Sequence, residues 1–262
     1  MHLPSLRAER FFHLAEAPRD GRARLLEADA RHALRVLRVR PGEALVGGDG
    51  AGSAWPLRVA AAGRAELALE VTGPGWSVPA AGEPGSRAPR VEVALALPRG
   101  GRSEAALERL AQLGAWSVLP LTSERVQGHR REVGEARGER CQRVLREACK
   151  QARRLWTPQF GAPVTPSELG RRAREGHALV LDPEAGLDVL EWARAHPGAG
   201  TSARPVTLVV GPEGGLTEAE RAQLAADGAA SARLGPHVLR IETAAEAGVA
   251  LLVVALAPAF GT

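Results

Sequence analysis

At 262 residues, with 45% hydrophobic and 24% charged side chains, the chain has the composition of a globular protein long enough for two ordinary domains and a buried core. No apolar run is long enough to cross a membrane and Met1-His2-Leu3-Pro4-Ser5-Leu6-Arg7 lacks a signal-peptide core, so the expected location is cytoplasmic. The formal net charge is +4 and almost every cation is arginine, Lys150 being the single lysine. Arginine forks grip phosphate and stack on bases, which makes RNA a plausible partner. The lack of tyrosine and asparagine, and the single isoleucine, point to a GC-rich coding bias that accounts for part of this excess. Cys141 and Cys149 fall in one predicted helix, about 12 Å apart along its axis, too far for a disulfide. No histidine or cysteine cluster has the spacing of metal ligands, so no metal is expected.

From Arg10 to about Thr72, short apolar runs alternate with glycine-rich turns: Ala44-Leu45-Val46, Trp55-Pro56-Leu57-Arg58-Val59 and Ala65 to Val71. This pattern predicts a small β-rich domain of barrel type. One helix interrupts it, with Asp29 read as its cap. Its stretch Arg31-His32-Ala33-Leu34-Arg35-Val36-Leu37-Arg38 sets leucine and valine on one side and arginine on the other. Such a basic face is either solvated surface or a phosphate contact. Gly73 to Arg90 is dense in glycine and proline without periodicity and reads as a linker.

From Val91 strands and helices alternate, the signature of a mostly parallel sheet covered on both faces. The predicted order is strand Val91–Leu97, helix Ser103–Leu113, strand Trp116–Leu121, helix Glu135–Leu155, strand His177–Leu181 and helix Leu187–Ala195. The last quarter then repeats one local grammar twice. Thr207-Leu208-Val209-Val210 is a buried strand that breaks into Gly211-Pro212-Glu213-Gly214-Gly215, after which Thr217 and Glu220 form a capping box for the next helix. Ser231–Leu234 is a second short strand, Gly235-Pro236-His237 a turn, and Thr243 with Glu246 a second capping box ahead of the apolar helix Ala244–Ala257. Ligands of such sheets bind beyond the carboxyl ends of the strands. Leu181-Asp182-Pro183-Glu184, Gly211–Gly215 and Leu234–Leu239 are therefore expected around one cleft.

Gly211-Pro212-Glu213-Gly214-Gly215, followed by Leu234-Gly235, Leu239-Arg240 and Glu242-Thr243-Ala244, resembles the RNA methyltransferases of the SPOUT superfamily. The nearest resemblance is to the family that methylates N3 of a uridine in 16S ribosomal RNA. His32 to Arg38, Pro41-Gly42-Glu43, Asp49-Gly50 and Arg10-Phe11-Phe12 look like that family's amino-terminal RNA-binding domain. Gly100 to Gly114, Ser123-Glu124-Arg125, Gln151, Arg154 and Pro158 extend the likeness over nearly the whole chain. Three departures stand out: Arg102 where the family commonly has lysine, Glu108-Arg109 where it has glutamine-lysine, and Ile241 where it has threonine.

The resemblance implies an α/β fold: a SPOUT-type, trefoil-knotted α/β methyltransferase domain over 91–262, preceded by a PUA-like β-barrel over 1–72 and the linker 73–90. It implies a homodimer with the site near the subunit interface, S-adenosyl-L-methionine as cofactor, and 16S rRNA in the small ribosomal subunit as partner. The cofactor is expected on backbone and shape contacts from Leu181, Pro183, Gly211, Gly214, Leu234, Gly235 and Leu239, flanked by Thr243. Arg240 is the candidate for orienting uracil or facing charge on its carbonyl oxygens. Glu242 is a candidate for orienting Arg240 or accepting the N3 proton; it is equally a carboxylate favoured at a helix start. RNA contacts are expected from Arg10, Phe11, His32, Arg35, Arg38, Arg125, Gln151 and Arg154, with core packing the competing role for Phe11 or Phe12. Arg130, Arg131, Arg137, Arg140, Arg143 and Arg146 sit among glutamates and read as a solvated helix face.

A dinucleotide oxidoreductase is excluded because neither Gly-x-Gly-x-x-Gly nor a P-loop is present. A methylase acting on transfer RNA or a ribose hydroxyl, and a non-catalytic ribosome-assembly factor, are the remaining alternatives.

Overall fold

The computed structural model describes residues 10–25, 27–63, 67–98, 100–126 and 134–258. The chain divides into two compact units, Met1–Pro79 with Cys149–Thr157, and Ala80–Ala148 with Pro158–Thr262. Arg130 and Arg131 of the predicted solvated face lie outside the described residues.

In the first unit, β1 (Arg10–His13), β2 (Arg22–Ala23), β3 (Ala44–Gly48), β4 (Ser53–Ala62) and β5 (Leu67–Val71) pair in the order β1-β3-β4-β5-β2, and β6 (Trp76–Ser77) pairs with β4. The outer strands meet again beyond their ends: Leu14 bridges Leu25, and Ala15 N–H donates to the Arg24 carbonyl at 2.8 Å. The sheet thus curls into the expected barrel. Alternate residues Leu57 and Val59 of β4, with Leu67 and Leu69 of β5, point into a core shared with Phe12, Leu14, Ala33 and Leu45. Phe12 is the core aromatic of its pair. The stretch Gly73–Arg90 is more ordered than a linker: Trp76 pairs with Ala54, and Gly75 lies where a Cβ would fall 2.3 Å from the Trp55 indole.

Helix α1 (Glu27–Arg35) begins two residues before Asp29, which is therefore not its cap. Asp29 is buried (2% exposed); its Oδ2 accepts from His13 N–H at 3.0 Å and its Oδ1 is paired with Lys150. The sequence pattern of a cap is satisfied here by partners far away in the chain.

In the second unit every strand pair is parallel. β7 (Val91–Leu95), β8 (Ser117–Pro120), β9 (Gln159–Phe160), β10 (His177–Leu181), β11 (Val206–Val210) and β12 (Ala230–Ala232) run in the order β12-β10-β11-β7-β8-β9. The helices are α2 (Arg102–Leu113), α3 (Glu135–Ala152), α4 (Pro166–Glu175), α5 (Val189–Ala195), α6 (Glu218–Ala226) and α7 (Ile241–Leu256). β7 and β11 are buried along their whole length, which is why both read as continuous apolar runs. On one face Val180 and Val209 pack with Leu169 of α4 and Leu224 of α6. On the other, Leu181 and Leu208 meet α7, where a Cβ on Gly248 would fall 2.7 Å from Leu208 Cδ2. Helix α4 and strand β9 went unpredicted. Thr165-Pro166-Ser167-Glu168 carried the signal for α4: Thr165 and Glu168 form a full capping box with proline at the first helical position.

After building β8 and β9 on one side of β7, the chain crosses to lay down β10, then returns to insert β11 between β10 and β7. The carboxyl ends of β10, β11 and β12 consequently open side by side.

The buried pair gives a stability test. Asp29→Ala removes the carboxylate shared by Lys150 and His13, and is expected to cost about 3–5 kcal/mol in urea unfolding; a loss below about 1 kcal/mol would show that the pair is dispensable.

Candidate active site at the strand ends

Three loops leave these strand ends. After Leu181, Asp182 N–H donates to the Ala232 carbonyl at 3.0 Å, and its side chain accepts from Glu184 N–H at 2.9 Å, fixing the turn around Pro183. After Val210 the glycine turn closes with Gly215 N–H on the Pro212 carbonyl at 2.8 Å, and Gly215 adopts φ +70°, a left-handed conformation that favours glycine. Thr217 and Glu220 form the predicted capping box, with Thr217 N–H on Glu220 Oε2 at 2.8 Å and Glu220 N–H on Thr217 Oγ1 at 3.2 Å. After Ala232, Arg233 exchanges backbone hydrogen bonds with Leu187 and Val189, and its guanidinium donates to the Ala185 carbonyl at 3.2 Å. The third loop is therefore tied to the first.

Together the loops enclose a cavity of about 630 Å³. Eight of the predicted site residues line it: Leu181, Pro183, Gly211, Leu234, Gly235, Leu239, Arg240 and Glu242. Gly214 does not; a Cβ there would face Arg125 Cδ at 3.5 Å instead of the cavity. Thr243 is exposed and also lies off the wall. Apolar surface comes from Val180, Val210, Leu216 and Ile241, the last 6% exposed, so this departure from the family pattern is a packing residue.

The start of α7 differs from its prediction. The helix begins at Ile241 with Arg240 as N-cap, Ala244 N–H donates to the Arg240 carbonyl at 2.8 Å, and no side chain caps the end. Thr243 is inside the first turn, and Glu246, assigned to its capping box, instead takes Arg109 of α2 at 3.0 Å. That contact raises the Arg109 pKa, through the hydrogen bond and charge of Glu246. The uncapped first-turn amides remain available to a ligand.

Charge is concentrated at the cavity wall. Arg102, Arg221, Arg233, Arg240 and His237 line it beside Asp182, Glu213 and Glu242. Glu242 does not orient Arg240: its Oε1 lies 3.5 Å from Arg102 Nη1, while its buried Oε2 has no hydrogen-bond partner among the described residues. Arg240 is exposed, and neither it nor Arg221 has an ion-pair partner among the described residues. Arg102 and Arg221 were missing from the predicted site. For Arg221 the available signal was an exposed arginine four residues past the cap of the helix that follows the glycine turn.

Arg125, predicted to reach RNA, donates from Nη1 to the Gly214 carbonyl at 2.5 Å. The other predicted RNA residues belong to the first unit. Arg10 is paired with Glu43 at 2.8 Å, and Phe11 is half-buried, edge-on to His13. His32, Arg35 and Arg38 are exposed on and just beyond α1. Gln151 is exposed, whereas Arg154 is half-buried and burial lowers its guanidinium pKa.

Residues 86–253 match the RNA methyltransferase domain model and residues 25–72 the RNA methyltransferase PUA domain model. These matches define the class, an RNA methyltransferase. A Mycobacterium bovis protein named ribosomal RNA small subunit methyltransferase E is 36% identical over 241 residues, covering 89% of this chain and 87% of the relative. A Synechocystis protein of the same name is 30% identical, covering 84% and 69%. The crystal structure of a ribosomal RNA small subunit methyltransferase E from Neisseria gonorrhoeae, bound to S-adenosyl methionine, superposes with a TM-score of 0.78 at 26% identity, covering 92% of this chain and 95% of that one. The chain belongs to the ribosomal RNA small subunit methyltransferase E family.

The two closing glycines of the turn differ in what they require. Gly215→Ala forces a Cβ into φ +70° and is expected to lower unfolding free energy by about 1–2 kcal/mol. Gly214→Ala, with an ordinary φ and room beside Arg125, should change it by less than about 0.5 kcal/mol. Equal losses in denaturant titration would contradict this description of the turn.

Proposed function

We propose that this enzyme transfers the methyl group of S-adenosyl-L-methionine to N3 of a specific uridine in 16S ribosomal RNA, using the cavity of the second unit. The supporting observation is that all three loops of the family pattern, Leu181–Pro183, Gly211–Gly215 and Leu234–Glu242, converge on one cavity. Its volume, about 630 Å³, lies within the range of about 300–1,000 Å³ usual for ligand sites. Its donor set also fits: leucine and valine walls suit a purine ring, while turn backbone and the uncapped α7 amides suit polar ends. Leu181, Pro183, Gly211, Leu234, Gly235 and Leu239 would hold the cofactor, with Gly214 and Thr243 supporting from beyond the wall. When bound, the cofactor supplies an electrophilic methyl group.

The chain's own side chains supply position and proton transfer. Arg240, exposed at the cavity and without an ion-pair partner among the described residues, orients uracil and faces the negative charge that grows on its carbonyl oxygens as N3 is deprotonated. Glu242 Oε2 accepts the N3 proton while Arg102 holds the carboxylate through the other oxygen. Because N3 lies on the Watson–Crick edge, the target base is taken unpaired.

The RNA partner is ribosomal, in the small subunit, as in the names of the relatives, and engages the first unit through His32, Arg35 and Arg38 with Arg10, Phe11, Gln151 and Arg154. A second copy of the chain completes a homodimer; its support is the resemblance together with Val254, 78% exposed on the largely apolar α7. The enzyme acts in the cytoplasm, and no helix among the described residues is long and apolar enough to cross a membrane.

The test is transfer of labelled methyl from S-adenosylmethionine to naked 16S RNA and to small ribosomal subunits, followed by nucleoside mass analysis. The expected product is 3-methyluridine; cofactor binding with methyl on another nucleoside would overturn the assigned target. Arg240→Ala and Glu242→Gln should each lower kcat by about 10²-fold or more with cofactor affinity kept within about threefold. Equal loss of turnover and cofactor binding in either variant would sink the role given to that side chain.

A further inference from the structure

The glycine turn is braced from outside by the segment that follows β8, which does not line the cavity. Ser123 to Val126 forms a turn closed by Val126 N–H on the Ser123 carbonyl at 3.1 Å, with Ser123 4% and Val126 1% exposed. Val126 packs in the same core cluster as Leu216, directly beyond the glycine turn. Two groups of this anchored segment reach the loop. Glu124 N–H donates to Glu220 Oε1 at 2.8 Å, while the other oxygen of the same carboxylate takes the amide of the helix cap, Thr217. Arg125 donates to the Gly214 carbonyl at 2.5 Å, and its Cδ lies 3.5 Å from where a Gly214 Cβ would stand.

We propose that Arg125 is a positioning residue of the methyl-transfer site: through the Gly214 carbonyl, and seconded by Glu124 on Glu220, it holds the Gly211–Gly215 turn in the shape that accepts the cofactor. The physical need is specific. Three glycines in five residues give this turn more backbone freedom than other sequences have, and every conformation other than the binding one dilutes the competent fraction. A charged donor on a turn carbonyl restricts that freedom before the ligand arrives, so less ordering cost falls on binding. Arg125 does not line the cavity, and its contact is made behind the wall that Gly211, Pro212, Glu213 and Gly215 present. Its action is on the loop, with no contact to the reacting atoms. The inference rests on the reading that this cavity holds S-adenosylmethionine.

The experiment is isothermal titration of the full-length chain with S-adenosylmethionine, together with steady-state kinetics on 16S RNA, for the parent enzyme, Arg125→Ala and Arg125→Lys. Arg125→Ala should weaken cofactor affinity about tenfold, the scale of one charged hydrogen bond, and raise cofactor KM similarly. At saturating cofactor, kcat and the KM for RNA should stay within about twofold. Arg125→Lys keeps a cationic donor and should recover part of the lost affinity. Unchanged cofactor affinity with a raised KM for RNA would overturn the proposal and make Arg125 an RNA contact. A fall in kcat with cofactor KM unchanged would overturn it too. If the parent enzyme itself binds no S-adenosylmethionine, the reading of the cavity fails and the brace fails with it; parent binding with an unaffected Arg125→Ala removes the brace alone.

Discussion

The site depends on how one buried strand ends. β11 is paired on both edges and buried on both faces, so its backbone has no freedom until Val210, where the Ala96 amide takes the Val210 carbonyl at 3.0 Å. Seven residues later the chain must have reversed and presented a helix start at Thr217. Gly215 makes that possible by its left-handed φ, Leu216 by sinking into the core at 3% exposure, and Glu220 by serving two amides with one carboxylate. The turn is thus defined from both sides, and the cavity takes its wall from it.

Pairing β12 on one edge of β10 and β11 on the other is what brings the second and third loops to the same opening as the first. Had the strands followed sequence order, the loops after Leu181 and Val210 would lie at neighbouring positions, but the loop after Ala232 would not be bound to the first. In the observed order the Asp182 amide reaches the Ala232 carbonyl, and Arg233 reaches Ala185, so the first and third loops share hydrogen bonds. The chemical inventory follows from this convergence: glycine and leucine surfaces to enclose a ligand, an exposed arginine at the N-cap of α7, and a carboxylate with one oxygen facing Arg102 and the other without a hydrogen-bond partner among the described residues.

Much of this was readable in the residues. The glycine turn, its capping box and the apolar strands before it are local features, and local physics gave their type and nearly their bounds. The failures share a cause. Thr243 and Glu246 have the spacing of a capping box, yet Arg109, 137 residues from Glu246, takes that carboxylate and the helix starts earlier. Asp29 has the look of a cap, yet Lys150, 121 residues away, claims it. In both cases a tertiary partner outcompeted a local pattern, which spacing cannot foresee. Helix α4 is the opposite case: its start is local, set by the capping box of Thr165 and Glu168 with Pro166 at the first helical position. Arg125 lay in a recognised motif, but only the fold shows that its hydrogen bond goes to Gly214. The order of the strands, and hence the cavity, is a property of long-range pairing.

If the three loops act as one site for S-adenosylmethionine, the bound cofactor must restrain the backbone of all three. Hydrogen–deuterium exchange of the full-length chain with and without S-adenosylmethionine tests it most directly. New protection is expected only at the amides within 181–184, 211–216 and 234–244, the three loops and the first turn of α7. Protection elsewhere in the chain with these three segments unchanged would contradict it.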